Sequence, residues 1–261
     1  MKTSASDAAL APPAPRAGFS WSRAPWGFVL RADALAHVPH GWTAKPLRLR
    51  PPEPDEWAQV AGVAGVEPKA LVHLRQVHGA AVHVVDGPAA AGMRPEADIA
   101  VTASGTFAVA VQVADCVPLL VAGRRAVAAA HAGWRGTAAN VAGTAIEALV
   151  RLGEDRRDLH AAIGPSIGPC CYEVGDELAD RFAEAGWRDV LDRWFTRPGS
   201  ERHLDLWTAN RDQLIAAGVP AAQVHASGLC TRCHGAWFHS YRREGAAAGR
   251  MAGFIRGGGA G

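Results

Sequence analysis

Cysteine, long hydrophobic runs and charge of one sign are all scarce in this 261-residue chain. Five cysteines are too few, and odd in number, for a disulfide scaffold of this length, so a cysteine motif here reads as metal ligand, nucleophile or core filler. The longest apolar stretches, residues 106–116 and 118–123, fall short of the roughly 18 residues of a membrane-spanning helix, and Gln112 and Asp115 break the first. With 27 basic against 25 acidic residues the net charge is +2, which gives no field to gather nucleic acid or to coat an anionic membrane. None of the eleven histidines lies two residues from another, so the H-x-H pairs of a trinuclear copper centre are missing. Residues 1–18 hold one lysine, several prolines and no leucine-rich segment, which reads as a flexible tail rather than a signal peptide and predicts a cytoplasmic protein.

What is present is enough for a full core: 49% of residues are hydrophobic. Short Val-rich runs at 71–74, 81–85, 99–101, 107–113, 119–121 and 126–130 read as strands. Between and after them come helical patterns. The clearest takes Thr137 as N-cap, places Val141, Ala145, Leu149 and Leu152 on one face and stops at Gly153. Residues 176–185, 208–217 and 53–63 read as further helices. No Pro/Ser linker divides the middle, so the expectation is an α/β protein with layered sheets, one catalytic domain over 19–256 between loose tails at 1–18 and 257–261.

Chemistry-bearing residues gather in four places. Arg75-Gln76-Val77-His78-Gly79 ends an apolar run, and Ala114-Asp115-Cys116-Val117-Pro118 sets a cysteine between a carboxylate and a proline. In His131-Ala132-Gly133-Trp134-Arg135-Gly136-Thr137 a strand end runs into a helix start beside a cation, an arrangement equally suited to anion binding and to a plain packed turn. Ile163 to Gly175 is a rigid Gly-Pro loop in which vicinal Cys170 and Cys171 read as small packed residues rather than as a metal-chelating pair. A fifth motif, Cys230-Thr231-Arg232-Cys233-His234, has the C-x-x-C-H form of a haem attachment site or half a zinc ribbon; without export signal or second C-x-x-C it reads as neither. His78, Cys116 and His131 all sit at or near predicted strand ends and are able to meet at one sheet edge, with the three-ligand, one-open-position form of catalytic zinc. Spacing alone does not single them out.

The series QVHG, ADCVPLL, HAGWRGT, IGPSIGPCCYEVG, then CT with FHSYRREG and GRMAGFI, resembles the YfiH-like family, also known as the multicopper polyphenol oxidase or laccase-domain family. The likeness runs from about Leu71 to about Ile255. It implies a layered α/β/β/α fold with mixed sheets, Zn2+ held by His78, Cys116 and His131, and a purine nucleoside phosphorylase and adenosine deaminase acting on purine nucleosides and phosphate. In that scheme Asp115 or Glu173 shuttles the proton and Arg135 holds phosphate. The segment His40 to Arg50 departs from the family pattern, which leaves Lys45, Arg48 or Arg50 as substitutes for its anion contacts. The rival readings are a cysteine hydrolase or peptidoglycan-editing factor with Cys116 as nucleophile, and, less favoured, a copper polyphenol oxidase. No nucleic-acid or membrane partner is expected, and a monomer is favoured.

Overall fold

The computed structural model describes residues 11–50, 54–87 and 94–258. In chain order the strands are β1 (Phe19–Ala24), β2 (Gly27–Ala32), β3 (His40–Thr43), β4 (Leu71–His73), β5 (Val82–Val84), β6 (Ile99–Thr102), β7 (Ala108–Val113), β8 (Val117–Ala122), β9 (Val127–Ala132), β10 (His160–Ile163), β11 (Glu173–Val174), β12 (Phe195–Thr196), β13 (Arg202–Leu204), β14 (Val224–Ala226) and β15 (Met251–Arg256). The helices are α1 (Pro54–Ala64), α2 (Trp134–Ala138), α3 (Val141–Arg151), α4 (Asp176–Phe182), α5 (Leu191–Trp194), α6 (Leu206–Ala216) and α7 (Tyr241–Glu244). None of the described helices is long and apolar enough to cross a membrane.

One six-stranded sheet runs β1-β2-β3-β15-β7-β4 and a second runs β14-β10-β8-β9-β6-β5; both mix parallel and antiparallel pairs. They stack face to face. Along β7 the period of two sends Val109, Val111 and Val113 into the core shared with Leu120, Val127 and Ala129 of the second sheet. Ala108 and Ala110 point the other way, against Val60 and Ala61 of α1. The far face of the second sheet, with Leu119, Val121, Ala128 and Ala130, is covered by α3 and α6. This is a layered α/β/β/α arrangement, and it explains why the strand sequences are apolar throughout rather than alternating: both of their faces are covered.

The predicted strands are all present, with ends shifted by one or two residues. The helix read from Thr137 to Leu152 is two. Thr137 is not its cap but a buried residue inside α2, which is entered from Gly133, and Asn140 at φ 60° breaks the path before α3. Asparagine adopts this left-handed backbone more readily than most residues. The helix expected at 53–63 is α1, with Glu53 outside the described residues. The hairpin β1–β2, although Phe19-Ser20-Trp21-Ser22 alternates apolar and polar residues, and the small sheet β11-β13-β12, whose strands are two or three residues long, were not among the predicted strands.

Residues 1–10 and 259–261 of the expected tails lie outside the described residues, but 11–18 and 257–258 are held. The Arg16 N–H donates to Ser227 O at 2.9 Å, its guanidinium lies 5.7 Å over the Trp207 ring, and Pro13 O accepts from Trp21 Nε1 at 2.9 Å. Gly257 and Gly258 donate to Phe107 O and Arg125 O. A chain starting at Gly18 is therefore expected to melt about 5 °C below one starting at Ala11, from the loss of ~1–3 kcal/mol in hydrogen bonds and stacking. Equal melting temperatures by calorimetry would show that this segment contributes nothing.

Candidate metal centre and cavity

The antiparallel register of β8 and β9 sets Val117 opposite Ala132 and Pro118 opposite His131. Cys116, one residue before β8, is thereby brought to the end of β9, where Gly133 follows. A Cβ on Gly133 would stand 2.9 Å from Cys116 Sγ, so glycine is needed for the thiol to reach across. His78 arrives on the loop after β4 with a left-handed backbone, φ 63°. Its ring meets that of His131 edge-on, centroids 4.8 Å apart.

Asp98, fully buried at the start of β6, ties these pieces together. Its carboxylate accepts from the backbone N–H groups of Val77 (3.3 Å), His78 (3.0 Å) and Gly79 (2.7 Å) and from His131 Nδ1 at 2.8 Å. With a carboxylate as partner, Nδ1 carries the proton and Nε2 is left as the ligating atom. Burial works against the charged form of Asp98, yet the His131 hydrogen bond and these N–H donors outweigh it and hold its pKa below the usual 3.8.

The ligand atoms of His78, Cys116 and His131 lie within 4.8 Å of one another. Burial disfavours ionisation of Cys116, but the adjacent His131 and His78 draw its thiol down to about 6. Burial likewise opposes the charge on His131, which Cys116 and Asp98 nevertheless raise to about 9. A thiolate and two imidazoles, one backed by a carboxylate, form a donor set that fits a borderline-soft divalent cation such as zinc, with a coordination position left open.

The trio lies in a cavity of about 660 Å3. Arg75, Arg94, Arg135, Arg242 and Arg250 line it, with Tyr172 and Tyr241, and Asp115 is the sole carboxylate among the described lining residues. Asp115 has φ 88°, rare for a non-glycine residue, and its carboxylate accepts from Thr231 Oγ1 (2.6 Å), Ser240 Oγ (3.1 Å) and the Arg242 N–H (2.6 Å). Glu173 is exposed on β11 and borders an adjoining, shallower cavity together with Arg135 and Trp134. Arg135 borders both, its guanidinium 4.4 Å over the Trp134 ring. Lys45, Arg48 and Arg50, the expected substitutes, are elsewhere: Lys45 pairs with Glu244, while Arg48 and Arg50 donate to the carbonyls of Ala247 and Ala246. Further cations of the cavity come instead from Arg94, Arg242 and Arg250, which sequence reasoning passed over although FHSYRREG and GRMAGFI contain the last two. Asp98 left no signal beyond an acidic residue opening a strand.

The layered sheets and this histidine–cysteine centre define the class. A family model described as multi-copper polyphenol oxidoreductase laccase matches residues 55–257, and the chain belongs to that family. It is 37% identical over 231 residues to a purine nucleoside phosphorylase of Deinococcus radiodurans, covering 87% of each chain. It is 39% identical over 198 residues to an adenosine deaminase from an unknown prokaryotic organism, covering 71% of this chain and 74% of that one. The crystal structure of YfiH from Bacillus licheniformis superposes with a TM-score of 0.81 at 30% identity, over 91% of this chain and 97% of that one.

Replacing Asp98 by Asn swaps two acceptor oxygens for one and leaves backbone N–H groups facing an amide. Metal affinity is expected to fall about 10–100-fold, and stability by about 3–5 kcal/mol. Chelator competition and denaturant melts measure both; a variant with unchanged metal affinity would remove Asp98 from the centre.

Proposed function

We propose that this chain is a zinc-dependent purine nucleoside enzyme that cleaves purine nucleosides with phosphate and deaminates adenosine. The observation that carries this reading is the opening of a trio of two imidazoles and one thiolate into a cavity lined by five arginines. His78, Cys116 and His131 would hold the ion. When bound, zinc supplies Lewis acidity, which makes a water nucleophilic near neutral pH.

The arginines suit an anion. Phosphate in phosphorolysis attacks the ribose anomeric carbon as the bond to the purine nitrogen breaks, so its negative charge must be held beside that carbon. Arg135, with Arg242 and Arg250 lining the same cavity, supplies charge-assisted donors for it. Tyr172 and Tyr241 line the same cavity and are aromatic side chains against which the base would pack. In deamination water adds at C6 of adenine, ammonia leaves, and a carboxylate has to accept and return a proton. Asp115 is the carboxylate among the described residues lining the cavity, and donors from Thr231, Ser240 and Arg242 hold it in place. Glu173, on the adjoining cavity beside Arg135, is the second candidate.

A second reading has one observation in its favour. Cys116, His131 and Asp98 lie in the order nucleophile, base and orienting carboxylate, with the thiol drawn down to about 6. A cysteine hydrolase would use them without metal. A multicopper oxidase has less support: among the described residues no cluster of histidines fit for a trinuclear centre accompanies the trio.

Purified protein incubated with adenosine, with and without phosphate, is expected to yield adenine only with phosphate and inosine in both cases, resolved by chromatography. Arg135→Ala should lower phosphorolysis about 10–100-fold in kcat/KM, the worth of one charge-assisted hydrogen bond, and leave deamination nearly intact. Equal loss of both would reject that division. Cys116→Ser is expected to lose the metal of this centre together with both activities. A serine variant that retains zinc at His78 and His131 yet loses activity, with native Cys116 alkylated stoichiometrically, would favour the hydrolase.

A further inference from the structure

The C-x-x-C-H motif at Cys230 has no second C-x-x-C in the sequence, but the fold provides an equivalent. The loop from Ile163 to Gly175 is laid against the Cys230 turn by three hydrogen bonds: Ser166 N–H to Leu229 O, Thr231 N–H to Ser166 O, and Gly168 N–H to Cys230 Sγ at 3.3 Å. Vicinal Cys170 and Cys171 thereby meet Cys233, with sulfur separations of 3.7 and 3.4 Å, and all four sulfurs lie within 4.8 Å of one another. The expectation that Cys170 and Cys171 are merely packed under the loop is not met: Cys170 is exposed, as is Cys233, and Cys171 is half-buried.

We propose that Cys170, Cys171, Cys230 and Cys233 form a second metal site, a closed tetrathiolate for structural zinc, separate from the His78–Cys116–His131 centre. Four thiolates at about 2.3 Å from one ion stand about 3.8 Å apart along the edges of a tetrahedron. The Cys170–Cys233 and Cys171–Cys233 contacts, at 3.7 and 3.4 Å, are already at or slightly inside that edge. Cys230 and Cys233 have the two-residue spacing of a zinc-chelating turn, and Gly168 N–H already donates to a sulfur, as backbone amides do around anionic thiolates. Gly168 is required there: a Cβ would lie 2.7 Å from the Trp207 ring and 3.3 Å from Cys170 Sγ.

The consequence reaches the cavity through chain neighbours. Tyr172, next to Cys171, lines it, and Thr231, next to Cys230, holds the Asp115 carboxylate. An ion clamped behind these residues would fasten two segments about sixty positions apart in sequence and stiffen the cavity wall. Without an ion, the exposed thiols of Cys170 and Cys233 and the half-buried one of Cys171 would leave that wall open to oxidation.

Full-length protein purified under reducing conditions without chelator is the test material, with metal counted by elemental analysis. Cys233→Ser is expected to hold one zinc equivalent fewer than the unaltered chain. In the Cys116→Ser background the cluster is intact, and Co2+ added to demetallated protein should give the intense visible bands of tetrahedral cobalt with sulfur charge transfer. That arm does not depend on Cys233→Ser folding. Equal metal content in Cys233→Ser and the unaltered chain would overturn the site. So would absent cobalt bands, or a disulfide joining Cys233 to Cys170 or Cys171 in metal-free protein purified under those conditions.

Discussion

A single buried carboxylate organises the centre. Asp98 has no exposure to water, and its charge is sustained by three consecutive backbone N–H groups and the His131 ring. A buried ion of this kind is tolerated only when its lone pairs are filled, and filling them dictates where two other segments go. The loop carrying His78 must turn its amides inward, which accounts for the left-handed backbone at His78. His131 must present its other nitrogen to Cys116. Geometry of the ligands, tautomer of the ring and shape of the loop thus follow from one electrostatic requirement.

The second constraint is a shortage of negative charge in the cavity. Five arginines, of which Arg75 pairs with Glu96, line a space in which Asp115, the one carboxylate among the described lining residues, is already engaged by three donors. Such a cavity attracts an anion, as the proposed phosphorolysis requires. Asp115 also fastens the segment carrying Ser240 and Arg242 to the strand end beside Cys116, so the residue that faces the substrate space also helps to build its wall. This coupling gives a physical reason for its unusual backbone: φ 88° points the carboxylate at donors from two distant stretches.

The family's description and its relatives' names point to different chemistry, oxidation on one side and nucleoside cleavage or deamination on the other. Side-chain chemistry favours the second. A trio of two imidazoles and a thiolate with an open position suits Lewis-acid chemistry, whereas multicopper oxidation rests on many histidines brought together, and among the described residues the histidines form no such cluster.

Much of this was legible in the amino-acid sequence. Apolar runs with covered faces announced the central strands β4 to β9, and the resemblance carried by QVHG, ADCVPLL and HAGWRGT pointed to His78, Cys116 and His131, which the fold then gathers. Local pattern determined those elements because burial on a sheet leaves a mark on each residue it touches. It failed where the deciding contacts are remote. Whether Thr137 caps or is buried depends on Asn210, distant in sequence, which donates to its hydroxyl. The burial of Asp98, the arginines of the cavity and the meeting of Cys170–Cys171 with Cys230 and Cys233 arise from segments tens of residues apart. Their charges and thiols carry no period in the sequence; only the stacking of two sheets and the backbone bonds between loops bring them within a few ångströms.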